Sequence, residues 1–157
     1  MFSCDYRAKK YADEIQLSAN EFDLDPAIIF AVAETESHFN AQAVSPVGAI
    51  GVMQIMPKTG QWIASKLSFI DYSDDDLYDL QINIRFGAFY IFYLMGLFSE
   101  RWMVMAAYNA GENVVRGWLD DGVVSIEMIP YPETKSYVKK VERAICYYHK
   151  KKFAIFH

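Results

Sequence analysis

The chain has 157 residues, 53% of them hydrophobic, enough for one domain with a core of its own and too apolar for a disordered chain. Its formal net charge is −5 and no basic tract dominates, so nucleic acid is not expected as a partner. No internal repeat, low-complexity tract or linker divides it, and residues 1–157 read as a single domain.

Ala8, Tyr11, Ala12, Ile15, Ala19 and Phe22 recur at helical spacing with charges between them, which predicts a first amphipathic helix. Asp25-Pro26 then starts a second, with Asp as N-cap and Pro in the first turn, running to about Phe39. Its apolar residues Ile28, Ile29, Phe30 and Val32 go almost all the way round, as in a helix buried at the centre of its domain. Turn formers dominate from Asn40 to Gly51, where a short β-hairpin or an irregular loop fits. Pro57 and Thr59 open a third helix through Trp62, Ile63 and Leu67. The acidic Ser73 to Asp76 segment is a surface loop or helix start, and Asp79 caps a long fourth helix to about Phe98. Shorter helices follow near Trp102 to Tyr108 and Val114 to Leu119. A final one starts at about Thr134, with Tyr137, Val138, Val141, Ile145 and Tyr148 on one face. The fold class is mainly α: a helical bundle around a central buried helix, with at most a small β-hairpin.

The chemistry is most readable at the end of the second helix. At about 100° per residue, Glu36 falls in line with Ile29, Val32 and Ala33, whereas Glu34 points to the other side. A carboxyl on the buried side of a helix is costly to ionise, so its pKa should rise. A carboxylic acid protonated near neutral pH is what cleavage of a glycosidic bond requires. Periodicity alone equally allows a structural carboxylate bonded to amides of the following loop.

The Lys150-Lys151-Lys152 run reads as a solvated helix end, with cations near the negative pole. Cys4 and Cys146 either bridge the chain ends or remain two thiols, and neither sits in ligand spacing. Glu34 and His38 stand at i, i+4, but no HExxH pattern exists, so neither a metal nor another cofactor is expected. The N-terminal stretch has no apolar leader core, and the longest uncharged run, Phe86 to Phe98, is shorter than the about 20 residues a bilayer needs. It reads as a buried helix in a soluble chain. A secreted protein given without its leader or anchor would read the same.

Three blocks carry a resemblance. The first is Glu36-Ser37-His38-Phe39-Asn40, then Ser45 to Ala49, Gly51-Val52-Met53-Gln54-Ile55-Met56-Pro57 and Thr59. The second is Ala107-Tyr108-Asn109-Ala110-Gly111 with Trp118; the third is Ile129-Pro130-Tyr131 with Glu133-Thr134 and Tyr137-Val138. In this order, over roughly residues 25–141, the chain resembles the soluble lytic transglycosylases. The resemblance implies a lysozyme-like fold and action on peptidoglycan glycan strands, and with them a location outside the cytoplasm in the cell envelope; a monomer is expected. It implies Glu36 as catalytic acid, Ser45, Gln54 and Met56 along a sugar groove, Tyr108 and Asn109 near the carboxyl, and Glu133 and Tyr137 at its border. It implies cleavage of the β-1,4 bond between N-acetylmuramic acid and N-acetylglucosamine with 1,6-anhydromuramyl ends, Glu36 serving first as acid and then as base. A hydrolytic muramidase, with water in place of the sugar hydroxyl, and a non-catalytic glycan-binding module are the alternatives. Tyr108 is expected to hydrogen-bond either Glu36 or the substrate's N-acetyl carbonyl. Val52 for the usual Leu and Gly60 for the usual Ala are expected to be harmless. Glu112-Asn113 stands in place of the common Pro-Gly, with Asn113 expected to supply a positive φ.

Overall fold

Asp25 and Pro26 begin the helix on which the rest is assembled. The structure, a computed structural model, describes the backbone of residues 8–156 and the side chains of residues 8–151. The Asp25 carboxylate accepts a 2.9 Å hydrogen bond from the Ala27 amide, and Pro26 fills the first turn. A preceding helix, α1, spans Ala12–Glu21, and this one, α2, spans Pro26–Ser37. The periodicity from Ala8 to Phe22 is interrupted at Tyr11, which separates a helical turn over residues 8–10 from α1.

Every residue of α2 from Pro26 to Ala33 is buried, as its all-round apolar sequence predicts. The helix ends abruptly. His38 and Phe39 both take left-handed backbone angles, φ 50° and 61°, and their amides return to the carbonyls of Glu34 and Ala33. A bulky residue rarely accepts that conformation. Phe39 is held in it by burial, its ring 5.8 Å from Tyr11 and 6.3 Å from Phe30. The chain therefore turns sharply just after Glu36-Ser37 and brings the next loop back over the helix end.

Pro57–Lys66 forms α3, Leu80–Leu97 α4, Arg101–Ala110 α5, Glu112–Asp120 α6 and Pro132–Phe156 α7, with short 3-10 turns at Asp74–Tyr78 and Ile126–Met128. The segment between α2 and α3 contains antiparallel bridges Val44–Ile50 and Ile50–Ile55 rather than a hairpin ladder, so its irregular reading holds. The final helix starts at Pro132, ahead of Thr134, because proline's fixed φ suits the first helical position. Asp79 caps α4 by accepting from the Ile82 amide at 3.0 Å. By length and composition α4 could cross a membrane. In the fold its Ile84, Phe86, Ile91 and Leu94 lie in the core, where α1, α3 and α5 pack on it, while Phe92 and Met95 stay about half exposed.

The most extensive helix pair is α2 on α7, and α5 closes against both α7 and α4. Exposed ion pairs tie α4 to α1 (Arg85–Glu21, 2.6 Å) and α5 to α7 (Arg101–Glu142, 2.5 Å). Such pairs orient helices more than they stabilise them. Cys146 is a free, exposed thiol; Cys4, its possible partner, lies outside the described residues.

Candidate active site

Glu36 is placed by the last turn of α2, and the loop after the helix is pinned around it by side chains rather than by a ladder. The Ser37 hydroxyl donates to the Val52 carbonyl at 2.7 Å and accepts from the Asn40 amide at 3.1 Å. Asn83, 1% exposed in the first turn of α4, accepts from the Met53 amide at 2.7 Å and donates to the carbonyls of Ile50 and Leu77 at 2.9 and 2.8 Å. The Tyr108 hydroxyl donates to the Met53 carbonyl at 2.8 Å, and the Gln54 amide donates to Gly51 and Ala43 carbonyls at 2.9 and 3.2 Å. Buried backbone groups without ladder partners need such substitutes.

Gly51 is obligatory in this arrangement: its φ is +81°, and an added Cβ would stand 2.3 Å from Asn83 Nδ2. Gly60 likewise faces the Tyr72 hydroxyl, which an added Cβ would meet at 2.2 Å, so here the residue has a packing reason. At the α5–α6 junction Gly111 itself takes the positive φ, 96°; Asn113 lies inside α6 and is not needed for the turn, contrary to the sequence expectation.

Burial raises the Glu36 pKa to about 7; the Tyr137 hydroxyl, which favours the charged form, opposes the shift in part. That hydroxyl is buried and lacks a formed hydrogen bond in the resting protein, so it is a donor held in reserve beside the carboxyl. Among the described residues no second carboxylate contributes to the shift. The phenols of Tyr108 and Tyr137 are pushed far up by burial, and the Glu36 charge pushes them further, so both remain protonated donors. Glu36 thus sits against two neutral phenols in a desolvated corner, a setting that keeps an acid protonated near neutral pH.

Beyond Tyr108, whose ring lies 5.4 Å from that of Tyr90, a groove of 520 Å³ opens between α3, α4 and the start of α6. Trp62, Tyr90 and Tyr93 form its aromatic wall, with the Trp62 and Tyr93 rings 4.7 Å apart. Glu112 contributes a carboxylate oxygen that is buried without a hydrogen-bond partner, and Lys58 a cation at the rim. The Tyr90 phenol is raised to about 12, first by burial and then by the Glu112 charge. Aromatic faces with a few unmet acceptors suit flat, hydroxylated ligands such as sugars.

The other residues expected in the site fall as follows. Met56 is 40% exposed at the N-cap of α3. Asn109 is exposed, its side-chain oxygen accepting from the Thr134 hydroxyl at 2.8 Å, which leaves its amide hydrogens for a ligand. The half-buried Ser45 spends its hydroxyl oxygen on the Ala49 amide at 3.0 Å, within its own turn. Glu133 is exposed in the first turn of α7. Tyr108 departs from expectation: its hydroxyl is committed to the Met53 carbonyl rather than to Glu36, and Tyr137 is the phenol that faces the carboxyl. Glu34 points away as expected, into a separate groove between α2 and α7. Asn83 escaped the sequence reading; its one signal is a lone amide within the apolar stripe of α4.

A mainly helical bundle that desolvates one carboxyl at the end of its central helix, next to an aromatic groove, belongs with the lysozyme-like folds. The chain is a member of the transglycosylase SLT domain family, whose profile matches residues 13–122. It is 39% identical over 134 residues to a soluble lytic murein transglycosylase of Salmonella typhimurium, covering 80% of this chain and 21% of the relative. A membrane-bound lytic murein transglycosylase C of Actinobacillus pleuropneumoniae is 30% identical over 165 residues, covering 88% of this chain and 45% of the relative. Among solved structures, the lytic transglycosylase Slt of Pseudomonas aeruginosa, in an inactive Glu-to-Gln mutant, superposes with a TM-score of 0.86 at 35% identity, over 92% of this chain and 24% of that one. A 70-kDa soluble lytic transglycosylase in complex with bulgecin A superposes with a TM-score of 0.84 at 35% identity, over 89% of this chain and 24% of that one. The chain thus spans between about a fifth and a half of the length of these relatives.

Proposed function

We propose that the protein is a peptidoglycan lytic transglycosylase acting in the cell envelope, with Glu36 as its single acid and base. The observation that carries the reading is the Glu36 carboxyl itself: desolvated, shifted to about 7, and with no carboxylate partner among the described residues. With no carboxylate contributing to its shift among the described residues, this reading assigns no enzymic nucleophile to hold a glycosyl intermediate. The substrate must supply its own.

The steps balance as follows. Protonated Glu36 gives its proton to the oxygen that bridges N-acetylmuramic acid to N-acetylglucosamine, and the C1–O bond breaks. The acetamido oxygen of the muramyl residue attacks C1 and holds the positive charge as a cyclic ion. Glu36, now a carboxylate stabilised by the Tyr137 hydroxyl, takes the proton from the muramyl C6 hydroxyl. O6 closes on C1, the acetamido group is released, and Glu36 is protonated again. The groove walled by Trp62, Tyr90 and Tyr93 seats neighbouring sugars, and this reading assigns Ser45, Gln54, Met56, Tyr108, Asn109 and Glu133 to binding the strand. Preorganising the C6 hydroxyl against water is a positioning effect. That a relative was solved as an inactive Glu-to-Gln mutant supports the assignment of one essential carboxyl.

Mass spectrometry of digested sacculi tests the reading. Anhydromuramyl ends are about 18 Da lighter than hydrolysed ends, because one water is not taken up. Light ends are expected; hydrolysed ends alone would make the protein a muramidase, and no cleavage at all a glycan-binding module.

The mechanism also fixes a pH dependence. The acid must start protonated, so kcat/KM falls as pH rises through the Glu36 pKa near 7. Tyr137→Phe removes a group that lowers that pKa, so the alkaline limb of the profile is expected to move to higher pH. A limb that stays in place would show that Tyr137 does not act on Glu36.

A further inference from the structure

The groove beyond Tyr108 joins an aromatic wall to one acidic side chain. Tyr90 and Tyr93 stack one turn apart on α4 with ring centres 6.2 Å apart, and Trp62 meets Tyr93 edge-on. Glu112 enters from α6, of which it is the first residue. The Tyr93 hydroxyl faces its carboxylate, and that contact raises the pKa of the phenol. Among the described residues no cation pairs with the carboxylate. Its Oε2 is buried without a hydrogen-bond partner. Lys58, the one basic residue lining the groove, makes no ion pair with it. Arg116, one turn further along α6, lies over the Phe98 ring instead, its guanidinium 6.0 Å from the centroid. The start of a helix favours a carboxylate in general, but does not supply the missing counter-charge. The proline common at this place in the sequence pattern would carry no charge.

We propose that Glu112 takes the free ammonium of a 2-amino sugar, so that the groove prefers strands with deacetylated glucosamine units over fully N-acetylated ones. The proposal rests on the peptidoglycan reading above. The sugars of a strand offer three kinds of donor: hydroxyls, acetamido N–H groups and, where the acetyl group has been removed, an ammonium. A hydrogen bond from an ammonium to a carboxylate is about twice as strong as a neutral one. The faces of Trp62, Tyr90 and Tyr93 attract a cation as well. An acetamido group works the other way. Its carbonyl is a second acceptor, and its methyl strips water from the carboxylate without replacing the lost hydrogen bonds. One side chain therefore both favours the bare amine and penalises the acetylated one. The reaction needs an acetyl group on the muramyl residue whose C1 is attacked. A free amine on a glucosamine further along the strand leaves that step intact.

The test measures binding to the Glu36→Gln protein, so that cleavage does not consume the ligand. Strands freed of peptides by an amidase, and so of peptide amines, are compared in three forms: fully N-acetylated, deacetylated on glucosamine, and deacetylated then re-acetylated with acetic anhydride. The deacetylated form is expected to bind about tenfold more tightly than the other two. Adding Glu112→Gln is expected to bring that ratio to about one, and Glu112→Asp, which keeps the charge, to retain more of it than Gln does. Equal binding of the three forms would overturn the proposal. A preference that survives Glu112→Gln would do the same, since it would then come from the net negative charge of the whole chain. An equal loss on all three forms would leave Glu112 a purely structural residue. In the active protein the preference is expected in KM, with kcat unchanged, because the amine pairs away from the reacting bond. A wild-type protein that cleaves none of the strands would sink the reaction, while the binding ratios would still decide the role of Glu112.

Discussion

Glu36→Gln is expected to slow cleavage of purified cell wall on the order of 10³-fold or more, and at the same time to make the protein more stable at alkaline pH. The first effect is loss of the proton donor and acceptor. The second follows from linkage. In the unfolded chain the carboxyl titrates near its ordinary value, 4.5, whereas in the fold it titrates at about 7. Between those values the folded state holds a proton the unfolded state has lost, so wild-type stability falls as pH rises from about 4.5 through 7 and is lowest above it. The shift of about 2.5 units corresponds to about 3 kcal/mol at 1.36 kcal/mol per unit. Gln carries no charge and escapes that loss. The variant's advantage should be absent at pH 4, grow through the interval and level off by pH 8. Thermal melts across pH check it; a Tm difference that does not change with pH would contradict the burial argument. Function here is bought with stability at one residue.

The second large effect is expected at Asn83, which touches nothing that reacts. Its side chain makes three buried hydrogen bonds, to the Met53 amide and the Ile50 and Leu77 carbonyls. Asn83→Leu would leave the Met53 amide and the Leu77 carbonyl without this partner beneath the loop, while the Ile50 carbonyl keeps the Ile55 amide at 3.0 Å, and each uncompensated group costs about 1–3 kcal/mol. A loss of about 3–5 kcal/mol is expected by chemical denaturation, a large fraction of the stability of a domain this size. Activity should fall even under conditions where the variant remains folded. The same loop carries Gln54 and the Met53 carbonyl that anchors Tyr108. A variant as stable and active as the wild type would show that Ser37 and Tyr108 suffice to hold the loop.

The helical skeleton was legible because its signals are local. Asp25-Pro26, Asp79 and the all-round apolar content of residues 28–32 act through their own turn of backbone, and the structure places α2 and α4 where those residues put them. Glu36 was legible for a related reason: one helical period puts it on the buried side, away from Glu34. What could not be read was long-range. The Asn83 bonds reach across about 30 residues of sequence, and Tyr108 reaches 55 residues back to the loop. Periodicity holds no information about such pairs. The choice between Tyr108 and Tyr137 as the phenol facing Glu36 is set by how α5 and α7 pack, and the sequence offers two tyrosines without ranking them. Which cations of α7 are engaged was hidden in the same way, since only the packed structure shows that Lys139 pairs with the Glu127 carboxylate and Lys135 donates to the Glu127 carbonyl.

The most direct measurement is the titration of the Glu36 carboxyl itself, followed by carbon NMR in protein labelled at glutamate and assigned with Glu36→Gln. A midpoint near 7 is expected, moving higher in Tyr137→Phe. A midpoint near 4.5, the value of a solvated side chain, would mean that the carboxyl is already ionised when substrate arrives and has no proton to give.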